Sequence, residues 1–180
     1  MSVLDTPRLR LRLWRDDDLD GIARMNADPR VSRWLTPTGA PMSRGASEAA
    51  FERWRAHWDE HGFGIWAVEE RETGGLVGRL GLQYHRLWPH EPEVGWMLDP
   101  RVWGKGYATE SGAAALRHAF EMLGCDRVVS IVHPENAPSI RVAERLGEQP
   151  YATVRWDEGD LDLVVYAVGR DDWARLQSTA

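Results

Sequence analysis

The stretch EVGWMLDPRVWGKGYATES, residues 93–111, sets the strictest limit on how this chain can fold. Its first half is apolar and strand-like and stops at Asp99-Pro100, because proline cannot continue a β-ladder. Its second half runs into ATESGAAALRHAFEMLG, where Gly112, Leu116, Ala119, Phe120 and Leu123 share one helical face and Gly124 supplies a stop. Between the two stand Gly104 and Gly106. A strand, a turn with two glycines and a helix leave free backbone N–H groups at the helix start, where the dipole favours anions. Glycine lets that backbone approach a phosphate, since no side chain intervenes. Two familiar phosphate loops do not fit. WGKGYAT lacks the Gly-Lys-Ser/Thr ending of the Walker pattern. The dinucleotide-binding turn needs a third glycine where Thr109 stands. A pyrophosphate cradle of another type remains.

The flanking sequence predicts what this unit is built into. LRLRLW (9–14) alternates Leu9, Leu11 and Leu13 with arginines, the period of a half-buried strand. DDDLDGIARMNAD (16–28) reads as a short helix with acidic residues at its N-terminal end. Residues 35–45 are rich in Pro and Gly and predict a loop. From Ser47 to Glu60 a helix places Phe51, Trp54 and Trp58 on one face, which suits core packing better than an acceptor pocket. GIWAVEE and LVGRLGLQYH predict a hairpin about the TGG turn. After the central helix, RVVSIV is a buried strand and NAPSIRVAERLG a capped helix ending at Gly147. YATVRW and DLDLVVYAV then close the chain as strands about a DEGD turn. The sum is an α/β (α+β) fold with a mixed sheet and packed helices. At 180 residues it is a single domain, 1–180.

Composition excludes several classes of function. A formal net charge of -6 argues against nucleic acid as the main partner. A single cysteine, Cys125, permits neither an intramolecular disulfide nor a cysteine metal cluster. The six histidines show no metal spacing, so no metal is expected, and His118 and His133 read as structural. There is no apolar leader and no run of eighteen apolar residues, so neither secretion nor a membrane span is expected. A cytoplasmic enzyme or binding domain is the default.

RVWGKGYATES resembles the acyl-CoA-binding motif of the GNAT acetyltransferases, Arg/Gln-x-x-Gly-x-Gly/Ala, with Arg101, Gly104 and Gly106 at its defining positions. EVGWMLDP before it and NAPSIRVAERLG after it resemble the RimJ/RimL branch of that family, in order and spacing over residues 6–168. The resemblance implies a GNAT fold: a mostly antiparallel sheet with helices on both faces, splayed between EVGWML and RVVSIV where an acyl-CoA enters. It implies that the pantetheine arm bonds the backbone of Met97 and Leu98 beside Trp96. The pyrophosphate would lie on the amides of Val102, Trp103, Gly104, Lys105, Gly106, Tyr107 and Ala108. Asn136, a good N-cap in its own right, would also bond the CoA arm, with Ser139 near the sulfur. Lys105 and Arg141 are charges that could meet CoA phosphates or simply face solvent. Acetyl-CoA would be the cosubstrate and an amine the acceptor, either a protein N-terminus or a small molecule. The sequence does not display oligomeric state, although a homodimer is common among similar proteins.

Glu93 carries the chemistry in this reading. An amine is protonated at neutral pH and must lose a proton before it can attack a thioester, and similar enzymes often carry their base on this strand. A solvated strand-edge acid is the competing reading. Two departures from the family pattern stand out. Ala143 occupies the position where many members have a tyrosine that protonates the leaving thiolate, and Glu148 follows Gly147 where a phenylalanine is common. Ser139 is the nearest substitute acid, with Tyr107 and Tyr151 as the other hydroxyls to weigh. A non-catalytic acyl-CoA-binding or regulatory module is the alternative function that the missing tyrosine at position 143 keeps open.

Overall fold

The computed structural model describes residues 3–178. In chain order the elements are β1 (Leu4–Asp5), β2 (Leu9–Arg12), α1 (Asp18–Asn26), α2 (Pro29–Ser32), α3 (Arg44–His61), β3 (Ile65–Glu70) and β4 (Leu76–His85). Then follow β5 (Trp88–Leu98), α4 (Tyr107–Arg117), β6 (Arg127–Val132), α5 (Ala137–Arg145), β7 (Gln149–Trp156), β8 (Leu161–Gly169) and α6 (Arg170–Ser178). The strands form one sheet in the order β1-β2-β3-β4-β5-β6-β8-β7. Every pairing is antiparallel except β5–β6, which is parallel and consists of one residue pair, Glu93 with Val129. Beyond that pair the two strands part, as the resemblance predicts. The fold is a mixed α/β architecture built on one open, mostly antiparallel sheet of eight strands.

Strand alternation sorts the core into two layers. Leu80, Leu82, Val94 and Leu98 pack under Ala115, Leu116 and Phe120 of the α4 region. Ile65 and Met97 face the other way, into Ile22, Met25, Phe51 and Trp54 of α1 and α3. Phe51 and Trp54 are thus core residues, as their spacing predicts.

Three local expectations change. The alternation holds through Leu11 and breaks at the end of β2: Arg12 is buried, and Leu13, just past the strand, is exposed. Arg12 Nε bonds Glu69 at 2.7 Å, and its two Nη atoms bond Asp18 at 2.7 and 2.8 Å, so full pairing of the guanidinium outweighs the apolar pattern. β5 starts at Trp88, well before EVGWML, and forms a hairpin with β4 despite Pro89 and Pro92. The chain closes on a helix, α6, whose Trp173 seals the edge of the larger core. After Arg117 the α4 helix widens into a π turn, His118–Met122. His118 lies there against Trp66 with no hydrogen-bond partner on either nitrogen among the described residues, and burial pushes it down. Its role is structural, as expected. Among the described residues no helix is long and apolar enough to cross a membrane.

Candidate active site

The parting of β5 and β6 opens a cavity of about 910 Å³. Its wall includes Glu93, Trp96, Met97, Leu98, Val102, Trp103, Gly104, Gly106, Tyr107, Ala108, Asn136, Ser139 and Arg141. The structure therefore brings together all but two of the sequence-predicted site residues. The exceptions are Arg101 and Lys105.

The turn before α4 has the backbone that its glycines suggest. Gly104 and Gly106 both have φ of +80°, the left-handed region that side chains resist. A Cβ at Gly104 would meet nothing within 4 Å, so the turn faces open space. Gly106 begins α4 with no side-chain cap, which leaves the first-turn N–H groups to an external acceptor. This is a cradle into which an anion fits. It is clamped from behind by Arg8, whose Nη1 donates to the Lys105 carbonyl at 2.8 Å while Nε bonds Glu110 at 2.6 Å. Neither contact is visible in sequence, since Arg8 lies some hundred residues from the turn.

Lys105 points to Glu70, at 3.3 Å. Arg101 is bound to Asp99, with Nη2 at 2.6 Å and Nε at 3.0 Å. The Asp99 carboxylate also accepts from the Arg101 amide, which caps the short turn at Pro100–Val102. Burial pushes Asp99 up, but hydrogen bonds from Arg101 and Arg24 outweigh it and hold the carboxyl well below its usual range. Arg101 thus shapes the entry to the cradle from outside the cavity wall.

On the opposite side α5 presents its N-terminus. Asn136 Oδ1 caps the helix by accepting from the Ser139 amide at 3.3 Å. Ser139 Oγ accepts from Trp96 Nε1 at 3.3 Å, a link across the opening between β5 and α5. Trp103 Nε1 donates to the Leu98 carbonyl at 2.8 Å, so on this strand end one acceptor is already engaged. Of the other hydroxyls, Tyr107 donates to Glu70 at 2.5 Å and Tyr151 is an exposed residue outside the cavity wall. That hydrogen bond to Glu70 pushes Tyr107 above its ordinary value. Ser139 is the hydroxyl best placed in the wall. His133 also lines the cavity, its ring 5.1 Å from that of Trp34, while its Nδ1 accepts from the Glu135 amide at 3.1 Å and so helps to shape the turn before α5.

Glu93 sits where the strands part and is 8% exposed. Its Oε2 accepts from Gln83 Nε2 at 2.9 Å, which orients the carboxylate. Gln83 faces it directly across the β4–β5 ladder. Just behind lies a second acid that the sequence marked only as a departure. Glu148 is fully sealed, and burial pushes it up to about 8, with the Glu93 charge adding to the rise. The Ser130 hydroxyl lies 2.8 Å from the Val94 carbonyl and 3.0 Å from Glu148 Oε1. One hydroxyl proton cannot serve both acceptors. A protonated Glu148 removes the conflict by donating to Ser130, which donates in turn to Val94. The chain Glu148–Ser130–Val94 therefore bridges β6 and β5 at the fork, beside the point where their ladder ends.

Residues 8–149 match the family model described as an acetyltransferase (GNAT) domain. The chain is 33% identical to an acetyltransferase from Agrobacterium tumefaciens of known structure, with a TM-score of 0.81 over 93% of this chain and 94% of that one. It is 26% identical to YnaD of Bacillus subtilis, named an N-acetyltransferase, over 94% of this chain and 98% of the relative. RimJ of Mycobacterium smegmatis, solved with a CoA-disulfide, shares the fold at a TM-score of 0.74 and 22% identity, over 95% of this chain and 88% of that one.

Proposed function

The chain belongs to the GNAT acetyltransferase family, and from that premise we propose that it moves an acetyl group from acetyl-CoA to a primary amine by direct transfer in a ternary complex. One observation carries the reading: a buried, oriented carboxylate, Glu93, stands at the strand fork in the same cavity as the Gly104–Gly106 cradle.

Acetyl-CoA supplies the acetyl group as a thioester. The amides of residues 102–108 would hold its pyrophosphate, and Arg141 on α5, in the cavity wall, would meet further phosphate charge. Glu93 accepts the proton that the acceptor ammonium must lose before its nitrogen forms the new C–N bond. As the C–S bond breaks, the departing sulfur needs a proton, and Ser139, held by Trp96, is the hydroxyl in position to supply it. Tyr107 is committed to Glu70. Direct transfer also fits Cys125, a half-buried thiol that burial pushes up, away from the reactive thiolate. The Asn136-x-x-Ser139 spacing and the likeness in fold to RimJ support the RimJ/RimL type. The reading treats the chain as one domain working in the cytoplasm.

The test incubates the protein with acetyl-CoA and a panel of amines and follows free thiol. Amine-dependent release of CoA supports the transferase. Tight binding of acetyl-CoA with no release for any amine supports the non-catalytic module instead.

A further inference from the structure

Arg79 has no part in the chemistry above, yet it lies in the same cavity. It stands on β4 opposite Met97, on the sheet face that α1 and α3 cover. Its guanidinium rests over the Trp54 ring, with Cζ 4.8 Å from the ring centroid. Its Nε is shut off from solvent and has no hydrogen-bond partner among the described residues. Burial pushes the group down to about 10, against a pull upward from the Glu93 charge, so it remains a cation at neutral pH. Arg79 is half-buried, and an Nε sealed without an acceptor carries a desolvation cost that a carboxylate reaching it from the cavity would offset.

The register shows what separates Arg79 from Glu93. Along this face β4 carries Arg79, Gly81 and Gln83, and opposite them β5 carries Met97, Gly95 and Glu93. The middle pair is two facing glycines, so the floor between the cation and the carboxylate bears no side chain. A Cβ added at Gly95 would have the Glu93 carboxyl as its nearest neighbour, at 3.8 Å, whereas one at Gly81 would run into the Gly64 carbonyl at 2.3 Å, so the open part of the floor lies over Gly95. The hollow thus has a carboxylate at one end and a cation at the other, opposite in charge and not in contact. The wider wall agrees, since it holds five arginines against two glutamates in a chain of net charge -6.

We infer that the acceptor is a zwitterion, seated with its amine toward Glu93 and its carboxylate on Arg79. Free amino acids have this chemistry, and so does a peptide that begins with Asp or Glu. A polyamine has the wrong charge for the Arg79 end. The inference rests on the acetyl-transfer reading for its amine end only.

The test uses L-amino acids, each paired with its own carboxamide, and peptides beginning with Asp or Glu paired with the same peptides beginning with Asn or Gln. In the wild type kcat/KM should favour the carboxylate member of the accepted pairs by roughly ten- to a hundredfold, the usual strength of a buried charge-assisted bond. The arm in which the preference appears identifies the source. Arg79→Gln should bring that ratio close to one, mainly through KM, with acetyl-CoA affinity unmoved. A wild type indifferent to the carboxylate overturns the inference, as does an Arg79→Gln protein that keeps the preference or loses acetyl-CoA binding instead. Calorimetry of the same pairs with the CoA-loaded protein separates the two readings. Carboxylate-dependent binding with no acetylation sinks acetyl transfer and keeps the seat; acetylation blind to the carboxylate does the reverse; no binding of any carboxylate sinks the seat.

Discussion

Two carboxylates near the fork of the sheet behave differently because their surroundings differ. Glu93 opens onto the cavity and takes a hydrogen bond from Gln83, whereas Glu148 is sealed behind Ser130. Glu93→Gln keeps the shape and removes the proton acceptor. Turnover should fall roughly ten- to a thousandfold, in line with losing one positioned base, while the dissociation constant for acetyl-CoA changes little. Initial rates and a binding titration on the same preparation check both halves. Glu148 makes a prediction about stability. Its folded value, near 8, lies above the ordinary carboxyl value of 4.5, so the folded chain keeps a proton that the unfolded chain has lost. Stability from this group is full below about pH 4.5 and is lost as pH rises toward 8. Glu148→Gln should leave the melting temperature nearly unchanged at pH 5 and raise it by a few degrees at pH 8, as calorimetry across that range will show. A variant less stable than wild type at both values would mean that the ionised form is the native one. Among single residues, Glu93 was legible from its strand, but Arg79 was not. In LVGRLGL an arginine between apolar residues reads as facing water, and only the packing of α1 and α3 over that face turns it inward.

At the scale of elements, the strand–turn–helix unit was legible because glycine, proline and helical periodicity are local signals. Gly104 and Gly106 have the positive φ that such a turn requires, and Asn136 caps α5 as its type suggests. The α6 helix escaped because RDDWARLQS carries one large apolar anchor, Trp173, too little for a periodic face. The first half of β5 escaped because Pro89 and Pro92 mask a strand that pairs with β4 only around His85 and Trp88 before its regular part. Arg8 was out of reach for another reason: its clamp on the Lys105 carbonyl joins segments that meet only in three dimensions. The cradle makes its own prediction. Valine at Gly104 puts a branched side chain into open space that the phosphates need, at a φ of +80° that it resists. Gly104→Val should weaken acetyl-CoA binding at least about tenfold, beyond what backbone strain of about 1–3 kcal/mol costs in stability. Circular dichroism establishes that the variant is folded, and a titration with unchanged affinity would place the pyrophosphate elsewhere.

For the whole molecule, the weak place is the fork. Four strands on one side and three on the other are joined to β5 through complete ladders or, at β6, through one backbone pair and the Glu148–Ser130–Val94 chain. A ligand that fills the opening contacts both halves and binds the folded state alone. CoA at a hundred times its dissociation constant should therefore add about 2.7 kcal/mol, or roughly 5–10 °C in melting temperature for a chain of this size. No shift at saturating CoA would contradict a site at the fork. The same division of the molecule has an optical side. Trp66 is sealed in the core and Trp173 nearly so, whereas Trp34, Trp96 and Trp103, which line the cavity, are half-buried or exposed. Indoles in a dry core emit at shorter wavelength than indoles near water, so the intrinsic emission of this protein is a sum of a blue population and a redder one. Ligands entering the cavity meet Trp34, Trp96 and Trp103 of the redder population, while Trp66 and Trp173 stay out of reach. Occupancy of the site can thus be followed in unlabelled protein as a selective loss on the long-wavelength side, with the core tryptophans as an internal standard.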